Sequence, residues 1–393
     1  MIMEKADGHN EQWVDKKLIE LADYYNGMAF KPSDWSDDGV KIIRIEQLNN
    51  PLGDYDHYKG TFPEINAIQD GDLIFSWSAT LKVAIWKWGD GVLNQHLFKV
   101  VPFEDIDKYF LYFLLDYNMP KLGESSHGST MKHIKRKELE TYSVSIPESL
   151  PAQRRIAAIL SAADKVIEQT RQLICKYKSI KQGMMEDLLK PKEGWKKVRF
   201  DVFFEMLPTN TLSRDNLNNQ QGVYQNIHYG DVLIKYPFCM SCDENEIPYI
   251  NEGVKFNIAE IKDGDVIFAD TAEDDTVGKC IEVMDVRNRK IVSGLHTYFC
   301  RPNFKMELGY LGYFLNSNHF HNQLLPYIAG SKVSSVNRNS ISRTYIFYPD
   351  LPEQHRIAKI LSGIDKKIEA EEKVLEKYTQ IKKGLMEKIL KEN

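Results

Sequence analysis

The sequence predicts an α+β or mixed α/β protein. We expect two similar globular domains separated by two long antiparallel coiled-coil helices, with a pseudo-twofold internal repeat. Two observations predict this architecture. A segment of 41 residues occurs twice, at 150–190 and 351–391, with a constant offset of 201 and 22 identical positions. The stretches before the two copies also share weaker motifs in the same order, which indicates that the whole chain is duplicated.

Each copy of the repeated segment has the pattern of one long helix. Pro151 and Pro352 occupy the first turn, where proline is tolerated. Apolar residues then recur in steps of four and three, over Ile156–Leu188 (including Met184) and over Ile357–Ile389. This spacing of about 3.5 residues is typical of a coiled-coil seam. The first helix leads from one domain to the next, so the second has only the first domain to return to, and we expect an antiparallel pair. Two core helices of a duplicated domain are the alternative interpretation.

The globular halves have diverged in length, whereas the helices have not. The offset between matched residues rises from 182 at Trp13 and Trp195 to 202 at Gly128 and Gly330, so the second half has gained 20 residues. Loops on a rigid scaffold tolerate such changes, but a helix that sets a distance does not. We therefore divide the chain into a first globular domain, a central helix, a second globular domain and a C-terminal helix, at 1–149, 150–192, 193–350 and 351–393.

Composition and charge narrow the class of protein. The chain has 393 residues, of which 42% are hydrophobic and 27% are charged, as in ordinary globular proteins. The first residues lack the apolar core of a signal peptide, no run is long enough to span a membrane, and five cysteines suit a reducing compartment. We expect a cytoplasmic protein with no membrane partner. The net charge of −5 divides as −8, +5, −4 and +2 over the four segments, so any contact with DNA must come from local clusters.

The sharpest candidates for DNA contact lie in the loops before the two long helices. Arginine and lysine suit guanine edges or phosphates, asparagine suits adenine, and hydroxyl groups reach either. Solvated charged turns are the plainer alternative for both loops. The first loop contributes Ser129, Thr130, Lys132, His133, Lys135 and Arg136, and the second contributes Ser331, Lys332, Ser334, Asn337, Arg338 and Asn339. Weaker candidates are Lys31, Ser76, Ser78 and Thr271, which follow predicted strands. His96 and His296 match each other inside apolar strands, and we expect them to be core histidines.

The sequence contains no recognisable catalytic constellation, so the chain is predicted not to be an enzyme. Cys239 and Cys242 have the CxxC spacing, but no second pair or suitably spaced histidine accompanies them, and we expect no metal site. Arg155, Asp164, Arg356 and Asp365 recur near the starts of the two helices. They are candidates for binding a partner protein, and the alternative is that they tie each helix to its own domain.

These motifs together resemble the specificity subunit of type I restriction–modification systems over nearly the full chain. The most specific is LP-x-Q-x-R-I-A-x-I-L-S-x-x-D-x-x-I-E at the start of each helix, and the opening tryptophans, G-D-[LV]-I-F strands and G-S loops support it. The resemblance implies two target-recognition domains that each read half of a split DNA sequence, with the helices fixing the spacer.

The resemblance also implies the partners. They are double-stranded DNA, methyltransferase (modification) subunits docked on the helices and domains, and possible restriction or translocase subunits. S-adenosylmethionine, magnesium and ATP are then expected only on those partners, with no cofactor on this chain. The competing hypothesis is a protein-interaction scaffold without enzymatic activity, in which two domains sit on a coiled-coil strut. The acidic balance of both globular domains favours that alternative.

Overall fold

The structure is a computed structural model that describes residues 11–124, 134, 136–256, 259–274, 276–330 and 334–391. The chain forms two compact units. Unit 1 comprises residues 1–171 and 373–393, and unit 2 comprises residues 172–372. Each unit therefore combines a globular part with segments of both long helices.

Unit 1 mixes strands and helices, with antiparallel pairing predominating. Its strands are β1 (Trp13–Lys17), β2 (Ala22–Asn26), β3 (Val40–Ile43), β4 (His57–Tyr58), β5 (Ala67–Ile68), β6 (Leu73–Ser76), β7 (Lys82–Ile85), β8 (Gly91–Leu93), β9 (Leu97–Pro102) and β10 (Ser143–Pro147). Its helices are α1 (Ile45–Asn49), α2 (Lys108–Glu124), α3 (Arg136–Thr141) and the first part of α4 (Leu150–Leu188). The sheets have the orders β1-β10, β2-β9-β6-β7 and β4-β3-β8-β5, and β3 and β8 are parallel.

Unit 2 repeats this plan with additions. Its strands are β11 (Lys196–Arg199), β12 (Phe204–Leu207), β13 (Leu217–Asn218), β14 (Gln225–Ile227), β15 (Cys239–Ser241), β16 (Tyr249–Ile250), β17 (Val266–Ala269), β18 (Thr271–Ala272), β19 (Cys280–Met284), β20 (Ile291–Ser293), β21 (Thr297–Pro302), β22 (Ser334–Ser335) and β23 (Tyr345–Tyr348). Its helices are α5 (Phe200–Phe203), α6 (Tyr310–Leu315), α7 (Asn318–Leu324), α8 (Arg338–Ile341) and α9 (Leu351–Lys391), which continues into unit 1. The order β12-β21-β17-β19 matches β2-β9-β6-β7, with β15 added at the edge.

Each core is closed by segments of both long helices. In unit 1, Ile156 and Leu160 of α4 and Met386 of α9 pack into one cluster with the buried aromatic residues of the sheet and α2. In unit 2, the start of α9 and the end of α4 contribute instead, and Ile357 of α9 joins Met185 of α4 in the cluster. Burying each such side chain stabilises the fold by about 1.5–3 kcal/mol. The helices are therefore part of both cores.

Two equivalent glutamines fasten the starts of the long helices. The side chain of Gln153 accepts a hydrogen bond from the backbone of Asp107 at 2.8 Å and donates one to the carbonyl of Pro147 at 3.0 Å. Gln354 accepts from the backbone of Glu307 at 3.0 Å and donates to the carbonyl of Pro349 at 2.9 Å. Both side chains are buried. The glutamine of the repeated LP-x-Q motif thus joins the start of each long helix to the chain just before it and to the segment that precedes α2 or α6.

The heptad prediction is wrong in the last turns of α4. Met184 is 39% exposed, whereas Met185 is 8% exposed and Leu189 is fully buried. From Ile167 to Met185 is 18 residues, or five turns of an undistorted α-helix with about 3.6 residues per turn. The buried face therefore follows the natural helical period there. Although α4 and α9 are long, no helix among the described residues is apolar enough over its length to cross a membrane.

Candidate nucleic-acid interface

In unit 1 the two candidate segments lie side by side. Trp77 follows β6, and its carbonyl accepts a hydrogen bond from the backbone of Ile134 at 2.8 Å. The loop that leads into α3 therefore contacts the end of β6. Arg136 is the first residue of α3 and is exposed, 3.9 Å from Glu140. The other candidates of this loop lie outside the described residues: Ser129, Thr130, Lys132, His133 and Lys135.

Ser76 and Ser78 are used inside their own loop. Ser76 is fully buried, and its hydroxyl donates to the carbonyl of Thr80 at 2.7 Å. Ser78 is 4% exposed, with its hydroxyl 3.3 Å from Nδ1 of His96. These contacts hold the shape of the loop. Direct contact of either serine with DNA stays a prediction, and this burial argues against it.

Lys31 lies on another exposed loop of unit 1. Its side chain is exposed, and its backbone donates to a carboxylate oxygen of Asp34 at 2.7 Å. The preceding Met28 exchanges backbone hydrogen bonds with the turn between β8 and β9, donating to Leu93 at 2.7 Å and accepting from Gln95 at 2.8 Å. The loop of Lys31 is thereby fastened to the turn that contains His96.

Unit 2 brings the equivalent segments together as a two-stranded pair. β18 and β22 are antiparallel, with Thr271 opposite Ser335 and Ala272 opposite Ser334. The carbonyl of Asp270 accepts from the backbone of Val336 at 3.0 Å, which is the counterpart of the Ile134–Trp77 contact in unit 1. Two segments that are distant in sequence, 270–272 and 334–336, thus lie side by side and form one edge of unit 2. Ser331 and Lys332 lie outside the described residues.

The end of this edge presents three exposed polar residues. Asn337 caps α8, because its side chain accepts from the backbone of Ser340 at 2.9 Å. Arg338 and Asn339 follow it and are exposed. Within the described part of the chain, the guanidinium group of Arg338 makes no ion pair. Its donors remain available to a nucleic acid, and a guanidinium group suits both guanine and phosphate.

The prediction that His96 and His296 are core residues is wrong. Both are exposed, at the ends of the equivalent turns 94–96 and 294–296. His96 accepts at its carbonyl from Trp77 at 3.4 Å, and His296 accepts in the same way from Asp270 at 3.2 Å. The sequence predicts them in the core because apolar residues surround both histidines and resemble one continuous strand. A histidine one residue before each of the matched strands β9 and β21 is the signal that could have found them.

The surroundings of His296 are specific to unit 2. Its Nδ1 lies 3.3 Å from Oδ1 of Asp270, and the ring of Tyr229 packs edge-on at 5.4 Å. Next to Tyr229, burial and the nearby Arg214 lower the pKa of His228. Asp231 partly opposes this effect, and its carboxylate accepts two hydrogen bonds from Arg214, each of 2.9 Å. The ion pair of Arg214 with Asp231 thus lies beside His228, whose ring packs on Tyr229 next to His296.

The four candidate partner-binding residues make contacts within their own units. Nη2 of Arg155 lies 3.6 Å from Glu11, and Arg356 donates to Glu353 at 2.6 and 2.7 Å. Both arginines are exposed. The two carboxylates pair across the long helices, Asp164 with Lys382 and Asp365 with Lys181, each at 2.6 Å. These are contacts of the kind that ties a helix to its unit, and the role of all four residues in binding a partner stays a prediction.

The cysteines of the CxxC motif are embedded in unit 2. Cys239 donates through its sulfur to the carbonyl of Gly309 at 3.3 Å, and burial raises the pKa of the Cys242 thiol to about 12. Burial also raises the pKa of the Cys239 thiol, and a raised pKa disfavours the thiolate form that ligates metals. Among the described residues, no three histidine, cysteine, aspartate or glutamate side chains form a group that could hold a metal ion.

Comparison with known proteins gives a family match. The family model described as "Type I restriction modification DNA specificity domain" matches the chain twice, over residues 10–176 and 192–380. The EcoBI specificity subunit of Escherichia coli, of a type I restriction enzyme, is 22% identical over 381 residues, covering 89% of this chain and 78% of that protein. The MjaVIII specificity subunit of Methanocaldococcus jannaschii is 23% identical over 402 residues, covering 97% and 92%.

Solved structures give the same fold. The crystal structure of a type I restriction–modification S subunit from M. genitalium aligns with a TM-score of 0.62 at 13% identity and covers 99% of both chains. A chain from a study of the assembly and conformational transition of a type I system aligns with a TM-score of 0.56 at 16% identity, covering 98% of both chains. At these identities the likeness concerns the fold.

Proposed function

We infer that this chain, which belongs to the type I restriction–modification DNA specificity family, is the DNA sequence-specificity subunit of such a system. One observation carries the inference. The specificity domain occurs twice, at 10–176 and 192–380, and each copy brings the same two candidate segments together at one edge. A duplicated reader is what a target of two half-sites requires.

We propose that each unit reads one half of a split, asymmetric sequence. The two edges have the same backbone contacts but different side chains: Trp77 and Ser78 in unit 1 correspond to Asp270 and Thr271 in unit 2. Different side chains on equivalent scaffolds select different bases. The exposed or partly exposed candidates among the described residues are Lys31 and Arg136 in unit 1, and Thr271, Ser334, Asn337, Arg338 and Asn339 in unit 2.

The long helices are proposed to form an antiparallel coiled coil with pseudo-twofold symmetry that fixes the spacer between the half-sites. Within unit 2, Lys178 pairs with Glu372 at 2.9 Å and Lys181 pairs with Asp365, so residue numbers rise along α4 as they fall along α9. The pair Lys382–Asp164 in unit 1 repeats Lys181–Asp365 at an offset of 201. A pseudo-twofold arrangement would generate such repeated contacts.

Methyltransferase subunits are proposed to dock on the outer faces of these helices. Ile180 and Ile381 are equivalent at the offset of 201 and are 38% and 40% exposed. One turn further on, Met184 is 39% exposed, whereas Leu385 packs partly buried against the core of unit 1. Two equivalent faces suit two copies of one partner. Catalysis and its cofactors would then belong to that partner, and restriction subunits would join the same complex.

The test is selection from a pool of random duplexes with the chain alone and in complex with its methyltransferase. The proposal predicts enrichment of one split sequence, with affinity that falls steeply as salt rises. The protein-interaction scaffold predicts a stable complex with no enriched motif. That second outcome would overturn the proposed function.

A further inference from the structure

His96 and His296 occupy the same place in the two units. Each ends a three-residue turn, 94–96 between β8 and β9 and 294–296 between β20 and β21. Each turn follows a strand in a parallel pair, β3 with β8 and β14 with β20. Each histidine also accepts, through its carbonyl, a backbone hydrogen bond from the candidate segment beside it. The two imidazoles are therefore fixed next to the two proposed DNA-reading edges.

The turn in unit 2 holds His296 in an unfavourable backbone conformation. Its φ is +54°, in the left-handed region that residues other than glycine rarely adopt. Its side chain is 49% exposed, and Nδ1 lies 3.3 Å from Asp270. Within the described residues, Nε2 of His296 makes no hydrogen bond. Backbone conformations of this kind cluster at functional sites.

The histidines are alike in units that otherwise differ at this edge. His96 faces the hydroxyl of Ser78, whereas His296 faces the carboxylate of Asp270. Trp77 in unit 1 has no aromatic counterpart in unit 2. Half-sites of different sequence share only the sugar–phosphate backbone. A residue type common to both readers is therefore expected to contact that shared feature, because phosphate contacts position a protein and base contacts specify the sequence.

We propose that His96 and His296 are a matched pair of positioning residues that contact the DNA backbone beside each half-site. This inference rests on the proposed function, because it needs two units that read different half-sites. The histidines set the pose of each unit on the duplex, and the residues of the neighbouring edges select the bases.

The two histidines differ in their neighbours. At His96 the hydroxyl of Ser78 lies 3.3 Å from Nδ1 and the amide nitrogen of Gln95 lies 3.4 Å from Nε2, so a phosphate would take the place of this amide. At His296 Nδ1 faces the carboxylate of Asp270, which leaves Nε2 for the phosphate.

The experiment uses the complex of the full chain with its methyltransferase. Dissociation constants are measured for the selected duplex and for an unrelated duplex, together with the motif each variant selects. The variants are His96→Asn and His296→Asn, and asparagine tolerates the left-handed conformation at residue 296. His296→Gln extends an amide farther than asparagine does. The control is His355→Asn, an exposed histidine 2.8 Å from Glu307 at the start of α9.

Each asparagine variant should weaken binding to both duplexes by about three- to tenfold, with the motif unchanged. His296→Gln should recover part of the affinity, and the control should change it less than twofold. Altered bases in one half-site, or unchanged affinity for both variants, would overturn the inference. The absence of any motif for the wild-type complex would instead overturn the proposed function.

Discussion

Nζ of Lys181 lies 2.6 Å from Oδ1 of Asp365, and this ion pair joins α4 to α9 within unit 2. The other oxygen of Asp365 accepts a hydrogen bond from the hydroxyl of Tyr313 on α6 at 2.7 Å. The ammonium group of Lys181 also lies over the rings of Phe238 and Tyr313, at 4.6 and 5.4 Å. One half-buried charge pair thus connects both long helices to the core of the unit.

Removing Lys181 should destabilise unit 2 measurably. The side chains of Lys181 and Asp365 are 18% and 31% exposed, so Lys181→Met leaves a poorly solvated carboxylate with a single hydrogen-bond donor. We expect a loss of about 1–2 kcal/mol, and a coupling energy of about 1 kcal/mol in a double-mutant cycle with Asp365→Asn, from urea unfolding. The control is Lys178→Met, whose pair with Glu372 is 59% and 48% exposed and should cost less than about 0.5 kcal/mol. Equal losses for the two lysines would contradict this account.

Asp116 should make unit 1 less stable as the pH rises. Burial chiefly raises the pKa of its carboxyl group and Asp164 adds to the effect, while Lys382 and Lys82 oppose it. A folded pKa above the unfolded value means that the folded state binds the proton more tightly. The resulting stability is present below the unfolded pKa and is lost as the pH rises through the folded pKa. Asp116→Asn should therefore raise the thermal midpoint at pH 8 and change it little at pH 4.

The control for Asp116 has the opposite sign. A hydrogen bond from Lys16 chiefly lowers the pKa of the Asp105 carboxyl group, so its stabilisation is present at neutral pH and lost on acidification. Asp105→Asn should lower the midpoint at pH 8 and change it little at pH 2. The position equivalent to Asp116 in unit 2 is Asn316, whose amide donates to the carbonyls of Cys280 and Gly312 at 2.9 and 2.7 Å. A midpoint of Asp116→Asn that tracked the wild type from pH 4 to pH 8 would refute the prediction.

The two long helices could be predicted from the sequence because the residue pattern that specifies each helix is local, and the same pattern occurs twice. α4 and α9 begin at Leu150 and Leu351, where the duplicated motif begins. The register of the last turns could not be predicted, since whether a helix supercoils or keeps its natural period depends on its neighbours. That is why the burial of Met185 instead of Met184 emerged only from the structure.

The sequence predicted which segments contribute to the candidate site, but it did not predict how those segments contact each other. The loop order placed Thr271 and Arg338 among the candidates, and the pairing of β18 with β22 joins their segments. The exposure of the histidines was harder to predict in unit 2, where Gly294 and Leu295 precede His296, than in unit 1, where Asn94, Gln95 and His96 are three polar residues in a row. The sequence pattern predicts His96 in the core and Ser76 at the surface, whereas His96 is exposed and Ser76 is fully buried.

Arg338 should determine the half-site read by unit 2. Its exposed guanidinium group follows a capped turn and makes no ion pair with the described residues. Arg338→Gln should cost about 1–3 kcal/mol of specific binding and relax one position of one half-site, as measured by duplex selection with the methyltransferase complex. Asn337→Ser keeps the cap and should leave stability nearly unchanged. Arg199→Gln, at an exposed arginine paired with Asp201, serves as the control. A uniform loss of affinity over all sequences would identify Arg338 as a phosphate contact instead.

The proposed spacer role of the helices can be tested by lengthening both together. Repeating residues 166–172 after Gln172 and residues 367–373 after Lys373 adds seven residues at equivalent points and keeps the heptad phase. Seven residues add about 10 Å of helix, or about three base pairs of B-DNA. We expect the selected spacer to lengthen by about that amount while both half-sites stay the same. As the control, a seven-residue glycine–serine insertion after the exposed Gly253 of unit 2 should leave the spacer unchanged. If the half-sites changed while the spacer did not, the helices would be helping to read bases and would not be setting the distance between the half-sites.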